Sequence, residues 1–294
     1  MAQVNPRVTL QIRKLSHALG AEVSGVDLRR PLDERELAQI LAAWHEHLLL
    51  VFRDQDLDFA DYIRFGERFG ELERYLHSSK DYTHPDHPEI YFITNHEVHG
   101  KPSETRDVGR EWHTDQSYTA RPLKATMLYC KEIPEAGGDT MFANMYLAYE
   151  RLTPQLRSVL DGLEAVHDFS LRLDKLSTYL DPEKIAARRR KSPPVAHPVV
   201  RVHPETGRKS LYVSEAVTSH FLGMTREESA GLLQYLFQHS TQPELTCRHR
   251  WRASDVGIWD NRCTLHLALK DFDPTSPRHM VRMAVLGTPL GHLV

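Results

Sequence analysis

The strand-like segments of this sequence are short, and turn residues separate them. Apolar or alternating runs of only a few residues occur at 48–52, 89–94, 125–130, 195–202, 210–213, 245–251, 256–260 and 279–287, with further short strands within 10–32. Many short strands joined by turns are typical of β-sandwiches and jelly rolls rather than of parallel α/β folds. The pattern therefore predicts a mainly β fold.

Four amphipathic segments predict helices that flank the strands. One begins at Asp33, a residue type that caps helix N-termini, and places its apolar side chains at helical spacing. The others cover 59–69, 145–163 with a break near Thr153 and Pro154, and 225–240, where Thr225 and Glu228 form a capping-box pair. The expected fold class is mainly β with flanking helices.

The chain length of 294 residues fits one large domain spanning 1–294. Residues 170–194 are polar and charged, show little periodicity and end in prolines. We predict that they form a surface excursion or lid.

Charge and composition narrow the classes of function. The net charge is -3, and the basic cluster at 188–191 is short, which favours a solvated loop over a nucleic-acid surface. No apolar run is long enough to span a bilayer, and the start lacks an export signal. Three widely spaced cysteines form no Cys-x-x-Cys pair. We expect a cytoplasmic protein without a nucleic-acid or membrane partner, and its 18 histidines make metal chemistry worth testing.

The segment Trp112-His113-Thr114-Asp115 carries a candidate metal site. On a strand, residues i and i+2 face the same side, so His113 and Asp115 could reach one ion. The spacing alone is weak, because the sequence has three other His-x-Asp/Glu matches, which begin at His84, His87 and His203. Each of those three has a central proline, which favours a turn over a paired strand.

A second group of candidate residues lies downstream. A strand that ends at Asp260-Asn261 leads through a turn to His266, and Arg278 and Arg282 share strand parity further on. Two imidazoles and one carboxylate on one face of an ion suit non-haem Fe(II) oxygenases, although a zinc hydrolase could use the same set with Glu111 as base. A non-catalytic jelly-roll binding protein is a third alternative. Buried arginines require anionic partners, either structural carboxylates or a bound ligand.

These blocks, together with Gly137-Gly138-Asp139-Thr140, resemble the taurine/2,4-dichlorophenoxyacetate dioxygenase (TauD/TfdA) family. Matching blocks at 19–28, 52–55 and 68–72 extend the resemblance from about residue 18 to 287. It implies a double-stranded β-helix (jelly roll, cupin-like) core and an enzyme that uses Fe(II), 2-oxoglutarate and O2. The members of this family often assemble, so we expect a homo-oligomer.

The resemblance also implies roles for individual residues. His113, Asp115 and His266 match the iron ligands. Thr140 and Arg278 match the residues that bind the distal carboxylate of 2-oxoglutarate, and Arg282 matches the arginine that holds the acidic group of the substrate.

Two departures bear on the substrate, which we expect to be a small organic anion. Tyr75, with His77 two residues on, replaces a histidine of the taurine-cleaving members, and Gly109 replaces an asparagine. We predict that Tyr75 and His77 contact the substrate together with Arg282. The segments 246–251 and 259–266 are closer to the aryloxyalkanoate branch. We therefore predict hydroxylation of an aryloxyalkanoate-like carboxylate, with possible oxidative cleavage of the product; the alternative is a taurine, alkanesulfonate or alkyl sulfate dioxygenase.

Overall fold

The computed structural model describes residues 10–76, 80–176 and 182–294. Its strands are β1 (Gln11–Lys14), β2 (Ala21–Ser24), β3 (Leu49–Phe52), β4 (Tyr91–Thr94), β5 (Leu123–Glu132), β6 (Thr140–Asn144), β7 (Glu164–His167), β8 (Val195–Pro198), β9 (Val200–Val202), β10 (Lys209–Leu211), β11 (Thr218–Phe221), β12 (Thr246–His249), β13 (Val256–Asp260), β14 (Thr264–Ala268), β15 (His279–Leu286) and β16 (His292–Leu293). Its helices are α1 (Glu34–His47), α2 (Phe59–Glu67), α3 (Met145–Glu150), α4 (Pro154–Leu160), α5 (Ser170–Leu176), α6 (Pro182–Lys191) and α7 (Arg226–Ser240), and a 3-10 turn covers Pro243–Leu245.

A seven-stranded sheet in the order β1-β2-β3-β13-β5-β15-β4 forms the largest layer. All of its pairs are antiparallel except β2 with β3. Helices α1 and α2 cover one face, where Trp44, Tyr62 and Phe69 are buried against the sheet. The prediction of a mainly β fold with flanking helices is confirmed.

A three-stranded sheet, β12-β6-β14, carries the candidate site residues Thr140 and His266. Phe142 of this sheet and Trp259 of the large sheet belong to the same buried apolar cluster, which lies between the two layers. A four-stranded sheet, β11-β7-β8-β16, and the β9-β10 hairpin pack with α3, α4 and α7 around a second cluster. The strands that hold the site are therefore fixed by an apolar core on each side.

The predicted N-terminal caps of α1 and α7 are confirmed. Asp33 accepts a hydrogen bond from the backbone N–H of Glu36, whose side chain accepts one from the backbone N–H of Asp33. Thr225 and Glu228 form the same reciprocal pair at the start of α7. Thr153 caps α4, so the predicted break near Thr153 and Pro154 separates α3 from α4.

The segment 170–194 contains helices α5 and α6, and its residues 177–181 lie outside the described part of the chain. Phe169, just before α5, packs against Tyr118 with ring centroids 4.4 Å apart. The basic cluster at 188–191 ends α6 instead of forming a loop. Within the described ranges, no helix is long and apolar enough to cross a membrane.

Candidate metal centre

His113 and His266 are brought together by their backbones. Each backbone N–H donates to the carbonyl oxygen of the other residue, over 3.1 Å and 2.7 Å, which forms an isolated antiparallel bridge. The prediction that His113 and Asp115 lie on one strand is wrong, because Asp115 lies in a turn that also places Gln116 at a φ of 53°. The turn, and not the alternation of side chains along a strand, therefore directs Asp115 to the same side as His113.

The three predicted ligands converge. Oδ1 of Asp115 lies 3.6 Å from Nε2 of His113 and 3.9 Å from Nε2 of His266. The two imidazole centroids are 4.1 Å apart, and all three candidate ligand atoms lie within 4.8 Å of one another. Two imidazole nitrogens and one carboxylate oxygen, grouped on one side of a shared space, fit the donor set of a non-haem iron site.

The surroundings of His113 and His266 suit the two imidazoles to metal binding in different ways. Nδ1 of His113 lies 2.7 Å from the carbonyl oxygen of Glu111, so Nδ1 carries the proton and the lone pair is on Nε2. Burial lowers the pKa of His266 well below its usual value, and the nearby imidazole of His113 acts in the same direction. His266 therefore remains neutral, as a metal ligand must.

Asp115 divides its two oxygens between different partners. Oδ2 accepts a hydrogen bond from the hydroxyl of Thr126 over 2.6 Å and lies 3.3 Å from Nη2 of Arg282. Burial alone would raise the pKa of Asp115, but Arg282 and the two imidazoles outweigh it and hold this pKa well below its ordinary value. The carboxylate is therefore ionised, and Oδ1 is directed at the two histidines.

Two further residues position Asp115: Thr126, which the sequence did not indicate, and Asn261, for which the sequence predicted a role in placing His266. The amide nitrogen of Asn261 donates to the hydroxyl of Thr126 over 2.9 Å, and Oδ1 of Asn261 accepts from the indole N–H of Trp259 over 3.1 Å. The hydroxyl of Thr114 donates to the carbonyl oxygen of Asn261 over 2.7 Å. The sequence predicted only turn chemistry for Asn261, and nothing in the spacing indicated Thr126, which belongs to β5.

Arg278 is a buried cation without a protein counter-charge. It is 8% exposed, and its Nε donates to the carbonyl oxygen of Gly138 over 3.2 Å. Among the described residues, no carboxylate lies within ion-pair distance of it. Burial lowers its pKa to about 10. Such a group is costly unless an anion joins it.

Thr140 is also buried, and its hydroxyl proton is unused within the described part of the chain. Its Oγ1 accepts a hydrogen bond from the indole N–H of Trp251 over 2.9 Å. In the β6–β14 register Thr140 pairs with Ala268 and Phe142 pairs with His266, so Thr140 lies two residues along the sheet from a candidate metal ligand. Side chains of paired residues, and of residues two apart, share one face of a sheet.

Arg282 lies beside the three ligands but already has anionic neighbours. Besides Asp115, it lies 3.7 Å from Oε2 of Glu73, and it donates a short hydrogen bond to the hydroxyl of Tyr75. Glu73, which the sequence reading missed, also accepts a hydrogen bond from the amide of Gln116. His77 lies outside the described residues, so its predicted role stays a prediction.

The histidines of the other His-x-Asp/Glu matches make structural contacts. The backbone N–H groups of Asp86 and His87 both lie 3.2 Å from Nδ1 of His84, as expected for a turn. His203 bonds to Asp260 over 3.0 Å. Two further groups, His45-His203-Glu205 and His203-Asp260-Cys263, have metal-like spacing, but Arg262 already ion-pairs with both of their carboxylates.

The chain is similar to known proteins along most of its length. Residues 11–284 match the family described as "Taurine catabolism dioxygenase TauD, TfdA family". An alpha-ketoglutarate-dependent 2,4-dichlorophenoxyacetate dioxygenase of Cupriavidus pinatubonensis is 34% identical over 274 residues, which cover 90% of this chain and 94% of that protein.

Solved structures give the same family. A taurine dioxygenase from Burkholderia xenovorans has a TM-score of 0.78 and 37% identity, covering 95% of this chain and 90% of that one. The protein AAD-2 in complex with Mn(II) and N-oxalylglycine has a TM-score of 0.80 and 30% identity, covering 96% and 99%.

Proposed function

The chain belongs to the taurine catabolism dioxygenase TauD, TfdA family, and we propose that it hydroxylates a small organic acid at an iron centre held by His113, Asp115 and His266. It is an alpha-ketoglutarate-dependent dioxygenase, an enzyme type that uses Fe(II) with 2-oxoglutarate (alpha-ketoglutarate) and O2. When bound, this set supplies the oxidising power that converts a substrate C–H into C–OH while 2-oxoglutarate becomes succinate and CO2.

The ligand assignment rests on the different contacts of the two carboxylate oxygens of Asp115. Oδ1 faces both imidazole Nε2 atoms, while Thr126 and Arg282 occupy Oδ2. An ion held by Oδ1 and the two Nε2 atoms would be bound on one side only, which leaves its other positions for cosubstrate, O2 and substrate access.

We assign the distal carboxylate of 2-oxoglutarate to Arg278 and Thr140. Arg278 lacks a counter-charge, and Thr140 retains a hydroxyl proton to donate. Two residues along a strand span about 6.8 Å, comparable to the length of a five-carbon dicarboxylate. The distance along the sheet between Thr140 and the Phe142–His266 pair is thus similar to the length of 2-oxoglutarate. A molecule of that length could reach from an iron at His266 to Arg278. Planar guanidinium suits bidentate binding of the carboxylate.

For the substrate we propose an aryloxyalkanoate-like carboxylate, with Arg282 and Tyr75 near its acidic group. Gly109 supports a bulky substrate: its φ is +76°, and a Cβ there would lie 3.4 Å from Cε1 of His113. The missing side chain leaves space beside the proposed iron ligand. A taurine, alkanesulfonate or alkyl sulfate substrate is the alternative.

We further propose that the large and the three-stranded sheets form a double-stranded β-helix core in a single domain, with 170–194 as a lid. The contact of Phe169 with Tyr118, three residues after Asp115, supports the lid. A homo-oligomer stays a prediction, which light scattering on the purified protein tests.

Anaerobic absorption spectroscopy tests the iron and cosubstrate assignment. Adding Fe(II) and 2-oxoglutarate should produce a visible charge-transfer band. The band should disappear in His113→Ala and persist in His84→Ala, a matched loss of one imidazole at a turn. Absence of the band, with zinc retained and no succinate formed in air, would favour the zinc hydrolase instead.

A substrate panel tests the substrate class. Succinate release should be highest with aryloxyalkanoates, compared with alkanesulfonates and alkyl sulfates. A preference for taurine would contradict the proposed role of Gly109. Succinate formation that no panel member stimulates would reject the aryloxyalkanoate assignment while leaving the iron site intact.

A further inference from the structure

Arg201, on strand β9, is a second buried cation without a counter-charge, on a different sheet from Arg278. It is 4% exposed, and its guanidinium lies over the ring of Tyr212, 4.9 Å from the ring centroid. Its Nη1 is fully buried without a hydrogen-bond partner. Across the described ranges, no carboxylate pairs with this guanidinium, and the side chain that interacts with it is Tyr212.

Neighbouring side chains also have buried polar atoms that lack hydrogen-bond partners. The ring of His167 stacks on Tyr212 with centroids 5.7 Å apart, and His197 lies 5.1 Å from His167. The Tyr212 hydroxyl, both ring nitrogens of His167 and Nδ1 of His197 are buried and form no hydrogen bond of normal geometry in the described structure, although His167 lies close to the backbone of Tyr212 and the Tyr212 hydroxyl lies close to Arg201. Buried polar groups are normally hydrogen-bonded, so this many unpartnered atoms in one cluster indicates a bound ligand or internal water.

Charge distinguishes between these two occupants. The nearby carboxylates are already matched: Asp260 pairs with Arg262 over 2.7 Å, and Glu205 contacts both Arg262 and Lys124. The two carboxylates, Asp260 and Glu205, are thus balanced by Arg262 and Lys124. The charge of Arg201 has no carboxylate to balance it. Water can satisfy the N–H donors but cannot neutralise the charge.

The two histidines do not alter this balance. Burial lowers the pKa of His167 to about 3 and that of His197 to about 4, so both rings are neutral near pH 7. A neutral imidazole still offers one N–H donor.

We propose that Arg201, Tyr212 and His167 form an internal binding site for a small inorganic monoanion of about the size of chloride. Arg201 neutralises the anion, and the Tyr212 hydroxyl and an N–H of His167 donate hydrogen bonds to it. Ser214, two residues beyond Tyr212, adds a buried hydroxyl that lacks a partner among the described residues.

The site is connected to the loop that carries Asp115. Nε2 of His197 donates to the carbonyl oxygen of Thr119 over 3.1 Å, four residues beyond Asp115. Ser117, between them, is fully buried and has an unpartnered hydroxyl in the described structure. Anion binding should therefore stabilise this loop along with the β7–β8 sheet.

Thermal unfolding of the full chain without added iron tests the proposal. We replace sodium isethionate, whose anion is too large for the site, by sodium chloride at constant ionic strength. The unfolding temperature should rise with chloride and saturate, because a ligand that binds only the folded state stabilises it by mass action. Bromide and nitrate should substitute for chloride.

Two arginine variants give the matched comparison. Arg201→Met should abolish the chloride dependence. Arg208→Met should retain it, because Arg208 also lies over a tyrosine ring, that of Tyr146, but is partly exposed and ion-paired with Glu150. Equal unfolding temperatures of the unaltered chain in the two salts, or an unchanged chloride response in Arg201→Met, would overturn the site.

A crystallographic measurement covers the case in which Arg201→Met does not fold. Crystals of the unaltered protein soaked in bromide should show an anomalous peak in contact with the Arg201 guanidinium, and Tyr212→Phe should weaken chloride binding by about ten- to hundredfold through loss of one hydrogen bond to a charged acceptor. Density without an anomalous signal would mean water, and a peak only at molar bromide would mean an adventitious ion only. Either result would reject the proposal, and neither would bear on the iron site.

Discussion

Arg278→Met should change stability and cosubstrate binding in opposite directions. Burial lowers the pKa of Arg278 from 12.5 to about 10. At about 1.4 kcal/mol for each tenfold change in acidity, holding this guanidinium charged costs the folded protein about 3 kcal/mol. No carboxylate in the described ranges offsets that cost. Methionine fills much of the same volume without a charge, so the free energy of unfolding without 2-oxoglutarate should rise by up to about 3 kcal/mol.

The same substitution removes the proposed partner of the distal carboxylate. Truncating one member of a buried, hydrogen-bonded ion pair costs about 2 to 5 kcal/mol, so the KM for 2-oxoglutarate should rise by about 30-fold or more. Guanidinium chloride denaturation, with and without 2-oxoglutarate, measures the first effect, and succinate formation measures the second. Addition of 2-oxoglutarate should stabilise the unaltered chain and leave Arg278→Met unaffected.

Arg248→Met is the matched control. Arg248 is half exposed and ion-pairs with Asp139 and Asp271 near the same Gly-Gly turn. Its loss should lower stability slightly and leave the KM for 2-oxoglutarate within about twofold, since exposed ion pairs contribute little. A destabilised Arg278→Met protein without 2-oxoglutarate, or an unchanged KM, would refute the reasoning that Arg278 is a cation held for a ligand.

Three further predictions concern other residues. Thr126→Val removes the hydroxyl that holds Oδ2 of Asp115 and should weaken Fe(II) binding by about 10- to 100-fold in an anaerobic titration; unchanged affinity would contradict that role. Gly257→Ala places a Cβ 2.8 Å from the indole of Trp251, so it should displace that ring and raise the KM for 2-oxoglutarate, with kcat less affected. His167 has a pKa of about 3 when folded and about 6.5 when unfolded, so the unfolded state binds the extra proton and stability falls as the pH drops below about 6.5. Between pH 6.5 and 5, His167→Phe should remove about 2 kcal/mol of that loss in denaturation experiments; identical pH profiles would contradict it.

Charge complementarity links Arg282, Glu73 and the substrate. Arg282 lies near the carboxylates of Asp115 and Glu73, so under the proposed function an acidic substrate would not meet a free guanidinium, whereas 2-oxoglutarate would meet one at Arg278. The substrate acid must therefore share Arg282 with these carboxylates. Within the proposed function, this predicts weaker dependence of catalysis on substrate charge than on cosubstrate charge.

Local sequence determined the elements of the fold. Short apolar runs separated by turns predicted the strands, and the residue pairs Asp33 with Glu36 and Thr225 with Glu228 fixed two helix starts, because capping depends on residues within one turn. The order and spacing of the motifs, through the family resemblance, also indicated His113, Asp115, His266, Thr140 and Arg278.

Tertiary structure decided how those residues meet. The sequence predicted one strand for His113 and Asp115, but Asp115 lies in a turn, and the bridge between His113 and His266 joins segments about 150 residues apart. Thr126 and Asn261 contribute through contacts across strands, which period and propensity do not encode. Burial without a carboxylate partner distinguishes Arg278 and Arg201 from Arg208, Arg248, Arg262 and Arg282, and it depends on which side chains the rest of the fold places nearby. Only the packed structure reveals that absence.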